Sequence, residues 1–401
     1  MGWQFIGYSM LMTSEPNSSQ VNRQTAYING RILQEQEFCD GLVVIVHGST
    51  IKSVTTADEV TLDEYDIIDL DGNYMLPGFI DVQVNGGGGV LFNESPDLEG
   101  IQTIARAHWQ FGTTGLLPTL ISDELDVIHQ GVSAVNAAIE EGIPGILGIH
   151  IEGPFLSREQ HGIHDVTKLK KLTNGIISEL KPVDSGCSML TLAPEMVEPD
   201  MIRQLVEKGF IVCAGHSNAT YDQVRNAIDH GLSGFTHLYN AMSQLSAREP
   251  GMVGAAFDHD NTWCGIIADG HHVSPASLRI AYRCKGSEKL MLVTDAMPPV
   301  GSTSDVFHLM GNRIAVIDGV CVDANGTLAG AALDMASAVR NMMKASACTL
   351  ADASSMASTG PAAFLGLQHR KGTIGAGMQA DFVVLNEQLH AIKTIIGGRQ
   401  V

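Results

Sequence analysis

Short apolar runs alternate with longer segments of helical apolar spacing through the middle of the chain. The short runs predict eight β-strands, at 79–85, 114–120, 145–152, 189–193, 210–216, 234–238, 263–269 and 290–295. Most are followed by a helical segment, for example at 123–141, 198–208, 220–230 and 274–284. Repeated strand-then-helix units predict a (β/α)8 barrel, with a doubly wound open sheet as the alternative.

Two observations favour the barrel. Polar residues that can bind metals or transfer protons recur at the C-terminal ends of the predicted strands, where barrel enzymes have their active sites. The glycine run at 86–89 follows a strand but lacks the spacing of a phosphate-binding loop in a doubly wound sheet.

Both ends of the chain carry short β-type runs separated by turns. They predict one small β domain built from both termini, although two unrelated β tails are the alternative. The expected organisation is a disordered extension at 1–24, a β domain at 25–76 and 368–401, and a barrel at 77–367. Residues 306–330 predict a β insertion that covers the site.

The charge balance is acidic, with 24 Lys and Arg against 44 Asp and Glu, a net charge of −20. Without a basic stripe, nucleic acid and anionic membranes are not expected partners, and no apolar run is long enough to span a bilayer. Seven cysteines without a Cys-x-x-Cys pair predict a reducing compartment, so we expect a cytoplasmic protein.

Four predicted strands end in residues that bind metals or transfer protons, namely Glu152, His216, His237 and Asp295. One carboxylate and two imidazoles form a suitable ligand set for a zinc-like ion, with a fourth position open to water. Asp295 would then be the proton-transfer group beside that water. The pattern therefore predicts a metal-dependent hydrolase.

The first predicted strand carries Gln83 and Asn85 where many two-metal barrel hydrolases have His-x-His. Both are poor zinc ligands, and no lysine at a strand end could bridge two ions. We therefore expect one divalent ion per chain, with Zn²⁺ as the first candidate and Fe²⁺, Co²⁺ and Mn²⁺ also compatible. His150 lies on the same side of its strand as Glu152, and either a ligand or a buried partner role is open to it.

Three further residues lie in loops that follow predicted strands. His164 and His272 occupy positions suited to contacting substrate, because barrel loops carry function. Arg248 follows the sixth strand, and its planar donors suit a phosphate or a carboxylate.

From about residue 69 onwards, the chain resembles the N-acetylglucosamine-6-phosphate deacetylases of the amidohydrolase superfamily. The motifs include Leu-Pro-Gly-Phe-Ile-Asp-Val-Gln-Val-Asn-Gly (76–86), His-Ile-Glu-Gly-Pro-Phe (150–155), Thr-Leu-Ala-Pro-Glu (191–195), Gly-His-Ser-Asn-Ala-Thr-Tyr (215–221), Thr-His-Leu-Tyr-Asn-Ala-Met (236–242), Arg-Glu-Pro-Gly (248–251), Ile-Ile-Ala-Asp-Gly (266–270), Leu-Val-Thr-Asp-Ala (292–296) and Gly-Thr-Leu-Ala-Gly (326–330). The resemblance implies an α/β protein with a TIM-like (β/α)8 barrel and a small β-sandwich from both termini. It implies hydrolysis of the acetamide of a sugar phosphate.

The resemblance also implies residue roles. Glu152, His216 and His237 would hold the metal, Asp295 would be the catalytic acid and base, and His164 would polarise the acetyl carbonyl. The implied substrate contacts are Gly153, Asn240, Ala241, Arg248 and His272. A homodimer is implied, in which Arg248 reaches into the neighbouring active site.

Three alternatives stay open at this point. The galactosamine epimer differs from the glucosamine substrate at one hydroxyl. A non-catalytic sugar-phosphate sensor would not need a general base such as Asp295. A cyclic-amide hydrolase is disfavoured by the absence of His-x-His and of a strand-end lysine.

Overall fold

The computed structural model describes residues 24–309, 311–317 and 319–401. The predicted extension at 1–24 lies outside these residues except for Gln24, whose carbonyl accepts a hydrogen bond from the backbone N–H of Asp66. Within the described ranges, no helix is both long and apolar enough to cross a membrane.

The N-terminal region consists of short strands. These are β1 (Thr25–Ile28), β2 (Arg31–Gln34), β3 (Glu37–Cys39), β4 (Leu42–His47), β5 (Thr50–Thr56), β6 (Asp66–Asp69) and β7 (Tyr74–Pro77). Strands β5, β4, β1 and β6 form one sheet, whereas β3, β2 and β7 belong to a second sheet.

The centre of the protein is a parallel sheet of eight strands in sequence order. Its members are β8 (Phe79–Val84), β11 (Thr113–Ile121), β12 (Gly148–Glu152), β13 (Cys187–Leu192), β14 (Phe210–Ala214), β15 (Gly234–Phe235), β16 (Trp263–Ile267) and β17 (Leu290–Val293), and a short hairpin of β9 (Gly86–Gly87) and β10 (Val90–Leu91) follows β8. All eight predicted strands are confirmed, and so is the (β/α)8 barrel.

Helices surround this sheet. They are α1 (Leu98–Trp109), α2 (Leu125–Glu140), α3 (Asn174–Glu179), α4 (Pro199–Glu207), α5 (Tyr221–Asp229), α6 (Gly251–Asp258), α7 (Pro275–Lys289), α8 (Met335–Ser346), α9 (Leu350–Ala357) and α10 (Thr359–Phe364). Several begin at a side-chain cap; the Thr220 hydroxyl, for example, accepts from the backbone N–H of Gln223 at the start of α5. Such caps satisfy N–H groups that have no partner within the helix.

The barrel closes between β17 and β8 through a single backbone bridge, Val84 to Ala296, and nearby hydrogen bonds. The backbone N–H of Asp295 donates to the Gln83 carbonyl at 3.0 Å. The Thr294 hydroxyl donates to Oδ2 of Asp81 at 2.5 Å. Asp295 therefore lies beside the first strand.

The predicted β insertion is an antiparallel sheet of β18 (Val306–Leu309), β19 (Asn312–Ile317), β20 (Val320–Val322) and β21 (Leu328–Ala331). We call these four strands the flap. The N–H of Ala331 donates to the Asp295 carbonyl at 2.9 Å, which attaches the flap to the end of the last barrel strand.

The chain returns to the terminal region through β22 (Phe382–Leu385), β23 (Ala391–Ile396) and β24 (Arg399–Gln400). Strand β22 pairs with β7, so both ends of the chain share one sheet. Tyr27, Met75 and Phe382 are buried in one core that both ends build. The prediction of a β domain built from both termini is confirmed, whereas its boundaries at 76/77 and 367/368 stay a prediction.

Candidate active site and metal centre

The four residues singled out at strand ends lie at the C-terminal edge of the barrel. Glu152 is the last residue of β12, and the other three follow shortly after β14, β15 and β17. His216, His237 and Asp295 have φ angles of +48°, +33° and +51°. Non-glycine residues rarely adopt this left-handed region, and those that do cluster at functional sites.

Glu152, His216 and His237 bring three ligand atoms together in a buried group. Oε1 of Glu152 lies 2.9 Å from Nε2 of His237 and 3.2 Å from Nε2 of His216. The two Nε2 atoms are 3.0 Å apart. One proton cannot satisfy two facing nitrogen lone pairs and a carboxylate oxygen together, whereas a cation among them would, so the group fits the predicted ion.

The orientation of His216 is set by a second hydrogen bond. Its Nδ1 lies 2.9 Å from the carbonyl oxygen of Gln160, which can only accept. Nδ1 therefore carries the proton, and the lone pair on Nε2 points towards Glu152. Metal-binding histidines commonly have their other ring nitrogen anchored in this way.

The charges within this group depend on one another. Burial alone would raise the pKa of Glu152, but the adjacent imidazoles of His216 and His237 hold this pKa well below its usual range. Burial opposes the charged form of His237, yet the carboxylate of Glu152 raises the pKa of His237. Protons therefore compete with a metal ion for these atoms, and metal affinity should fall in acid.

Asp295 lies beside this group and accepts hydrogen bonds from two amides of the first strand. Nδ2 of Asn85 is 2.6 Å from its Oδ1, and Nε2 of Gln83 is 3.1 Å from the same atom. Burial and the nearby charge of Glu152 raise the pKa of Asp295 to about 6. A carboxylate with this pKa can both accept and return a proton near neutral pH.

His164 is held by Ser122 at the end of β11. Its Nδ1 lies 3.2 Å from the backbone nitrogen of Ser122 and 2.8 Å from Oγ. Burial, with a further contribution from His216, holds the pKa of His164 well below its usual range. The imidazole is therefore neutral, and its ring lies 4.3 Å from the ring of His216 between centroids.

These side chains share one cavity of about 520 Å³. Eight of the ten predicted site residues line it: Glu152, His164, His216, His237, Asn240, Ala241, His272 and Asp295. Nδ1 of His272 is 2.6 Å from Oδ2 of Asp269, which fixes the ring at the cavity wall.

The other two predicted residues do not line this cavity. Gly153 is buried behind the wall, where an added Cβ would lie 2.3 Å from Oγ of Ser122. The absence of a side chain at Gly153 thus leaves room for Ser122, which contacts His164. Arg248 is exposed, and its guanidinium forms no hydrogen bond or ion pair with the described part of the chain.

His150 is a buried partner and lies outside the ligand group. Its Nε2 lies 2.8 Å from Oγ1 of Thr191. Burial lowers its pKa to about 4, so the ring is neutral.

Sequence reasoning missed the roles of Gln83, Asn85 and Ser122. The alternation of Gln83 and Asn85 along β8 could have placed both on the interior face of the barrel. No local signal connects Ser122 with His164, because their contact spans 42 residues.

Comparison with known proteins supports the same assignment of fold and chemistry. The chain is 45% identical to an N-acetylgalactosamine-6-phosphate deacetylase from Shewanella sp. (strain ANA-3), over 90% of each chain. It is 34% identical to an N-acetylglucosamine-6-phosphate deacetylase from Haemophilus influenzae, over 93% of this chain and 98% of the relative. The crystal structure of N-acetylglucosamine-6-phosphate deacetylase from Pasteurella multocida superimposes with a TM-score of 0.91 at 34% identity, covering 94% of this chain and 99% of that one. Because the amidohydrolase family model also matches residues 74–401, the chain belongs to the amidohydrolase family.

Proposed function

We propose that the protein hydrolyses the acetamide of N-acetylglucosamine 6-phosphate and releases glucosamine 6-phosphate and acetate. The observation that carries this proposal is the shared cavity, in which Asp295 and His164 flank Glu152, His216 and His237. The names of the relatives support the sugar-phosphate substrate.

Glu152, His216 and His237 would hold one divalent ion per chain, with Zn²⁺ as the first candidate and Fe²⁺, Co²⁺ or Mn²⁺ as alternatives. An ion bound there would lower the pKa of water and polarise a carbonyl group.

Asp295 and His164 would perform the remaining steps. Asp295 takes a proton from the attacking water and then delivers it to the leaving amine, which its pKa of about 6 permits. His164 accepts at Nδ1 from Ser122, so its Nε2–H can donate to the carbonyl oxygen as negative charge develops there. Because the site is buried, this donation is stronger than it would be in water.

Asn240, Ala241 and His272 would contact the sugar phosphate from the cavity wall, and Gly153 stays a predicted contact. Among the described residues, no lysine or arginine lines the cavity. The phosphate therefore needs a cation from elsewhere.

We infer that a second copy of the chain supplies this cation through Arg248. Its loop lies beside a groove lined by Leu245, Pro250, Phe257 and Ile280. Leu245 and Ile280 are 57% and 49% exposed and line the same groove, and an exposed apolar patch of this kind can mark a contact surface between proteins. A homodimer with shared active sites accounts for both observations.

The galactosamine epimer is the second candidate substrate, because the relative at 45% identity bears that name.

A cytoplasmic location is also part of the proposal, since all seven cysteines are free. A non-catalytic sensor is disfavoured, because it would not need a buried general base such as Asp295.

The test measures acetate release from both N-acetylhexosamine 6-phosphates, with metal analysis of the same purified protein. We expect turnover of at least one epimer, and little turnover of the sugars without phosphate. Metal-loaded, folded protein that releases acetate from neither phosphate would contradict the proposal.

A further inference from the structure

Gln83 occupies an unusual position on the interior face of the barrel. The side chains of Asp81, Gln83 and Asn85 alternate along β8 and its end, and each is at most 2% exposed. Glutamine is a poor metal ligand, and the proposed reaction assigns Gln83 no task.

Both amide N–H groups of Gln83 are used by carboxylates. Nε2 lies 3.1 Å from Oε2 of Glu152 and 3.1 Å from Oδ1 of Asp295. An ionised carboxylate only accepts hydrogen bonds, so the amide nitrogen must face these oxygens. One neutral side chain thus connects the residue that would hold the ion with the residue that would move the proton.

Glu152 uses its two oxygens differently. Oε1 faces the imidazoles of His216 and His237, whereas Oε2 faces Gln83. Without the amide, the carboxylate could rotate and withdraw Oε1 from the ligand group.

Asp295 also depends on the first strand. Strand β17 ends at Val293, so Asp295 has left the regular ladder when it turns into the cavity. Its backbone N–H donates to the carbonyl of Gln83, and its side chain accepts from the amides of Gln83 and Asn85. The contacts that orient Asp295 therefore come largely from one strand.

We propose that Gln83 is a positioning residue that holds Glu152 and Asp295 in one arrangement, and so supports both metal affinity and proton transfer. Its neutral amide brings two carboxylates together without adding a charge. This inference rests on the proposed function for the role of Asp295, whereas its effect on metal affinity does not depend on turnover.

The first experiment uses Gln83→Met, which keeps the length of the side chain and removes both donors. Metal affinity, measured by competition with a chelator, should fall by about 10–100-fold. At saturating metal, kcat should fall by roughly 10-fold or more with KM little changed, because the lost contact orients a group of the chemical step. The matched control is Gln34→Met, since the side-chain amide of Gln34 donates to the carbonyls of Leu33 and Ile374 in the terminal region. This control should change neither quantity.

A double-mutant cycle separates positioning from general damage. In the Asp295→Asn background, Gln83→Met should lower kcat by less than about 2-fold, because its target no longer transfers protons. A loss equal to that in the native background, or unchanged metal affinity and kcat in Gln83→Met, would overturn the inference.

A second variant covers the case in which Gln83→Met does not fold. Gln83→Glu keeps the shape of the side chain but offers at most one O–H donor in place of two N–H donors, so metal affinity and kcat should both fall. If Gln83→Glu retains both, the inference is wrong. If the native protein releases no acetate at all, the proposed function fails, and the chelator titration still decides whether Gln83 supports Glu152.

Discussion

Nδ1 of His164 lies 3.2 Å from the backbone nitrogen of Ser122. A backbone N–H can only donate, so Nδ1 is the acceptor, and the proton of the neutral ring must be on Nε2. The pair thus fixes an uncharged donor at the wall of the cavity. A neutral ring in this tautomer already presents an N–H donor to an oxyanion and needs no additional proton.

The first prediction concerns this pair. His164→Ala should lower kcat by about 10²–10³-fold, as expected for the loss of an oxyanion donor. Ser122→Ala should lower kcat by less than about 10-fold, because the backbone N–H remains. Steady-state kinetics on metal-saturated protein checks both values. Equal losses in the two variants would mean that the hydroxyl of Ser122, rather than its N–H, sets the tautomer.

The second prediction concerns the ion. The native protein should hold about one divalent ion per chain, because the described residues form one buried ligand group. His216→Ala should lose the ion, whereas His150→Gln should retain it, since His150 bonds Thr191 instead. Elemental analysis of folded protein measures both. Two tightly held ions, both needed for activity, would contradict a single-ion site.

The barrel itself was predictable because its strands are continuous apolar runs that the helices bury. The backbone conformation at the strand ends was not predictable, because His216, His237 and Asp295 lie just beyond their strands and have positive φ angles. Nothing in a histidine or an aspartate signals that conformation; it follows from the surrounding packing.

The convergence of Glu152, His216 and His237 was predictable for a different reason. Residues at the C-terminal ends of parallel strands converge whatever the details of register. The partners of these residues were not predictable, because contacts such as that of Gln83 with Asp295, 212 residues away, form only when the last strand meets the first. The sequence therefore indicated that Gln83 is a poor metal ligand, but not that its amide donates to Glu152 and Asp295.

The third prediction concerns Asp295. Its raised pKa of about 6 means that it is protonated, and unable to accept a proton, below that pH. The kcat/KM of the native protein should therefore fall as the pH decreases through about 6. Asp295→Asn should retain the metal and lower kcat by about 10²–10⁴-fold. Near-normal kcat in this variant would place the proton transfer on another residue.

The fourth prediction concerns Asp81 and stability. Burial raises its pKa from 3.8 to about 7, so folding favours its protonated form. That stabilisation is complete below about pH 4 and is lost as the pH rises through about 7. In Asp81→Asn, the amide can still bond Thr294. The free energy of unfolding of the variant relative to the native protein should therefore become more positive from pH 5 to pH 8, by up to ~2.7 kcal/mol, and the difference in Tm should follow it. The control is Asp229→Asn, because Asp229 is exposed. The same change of stability with pH in this control would contradict the assignment of the effect to Asp81.

The fifth prediction concerns Arg248, which lies outside the cavity of its own chain. If Arg248 binds the phosphate in a neighbouring active site, Arg248→Ala should raise KM by about 10-fold or more, through loss of a charge-assisted contact of ~1.5–3 kcal/mol. The control is Arg203→Ala, because Arg203 is exposed and pairs with Asp200 on its own helix.

Mixing two impaired variants shows in which active site Arg248 acts. When Arg248→Ala and Asp295→Asn proteins exchange subunits, one site of each mixed dimer combines an intact Asp295 from the first chain with an intact Arg248 from the second. Activity at low substrate concentration should then rise well above that of either parent. Native mass spectrometry would confirm the exchange. Exchange without recovery would mean that Arg248 acts within its own chain, and the shared active site would have to be abandoned.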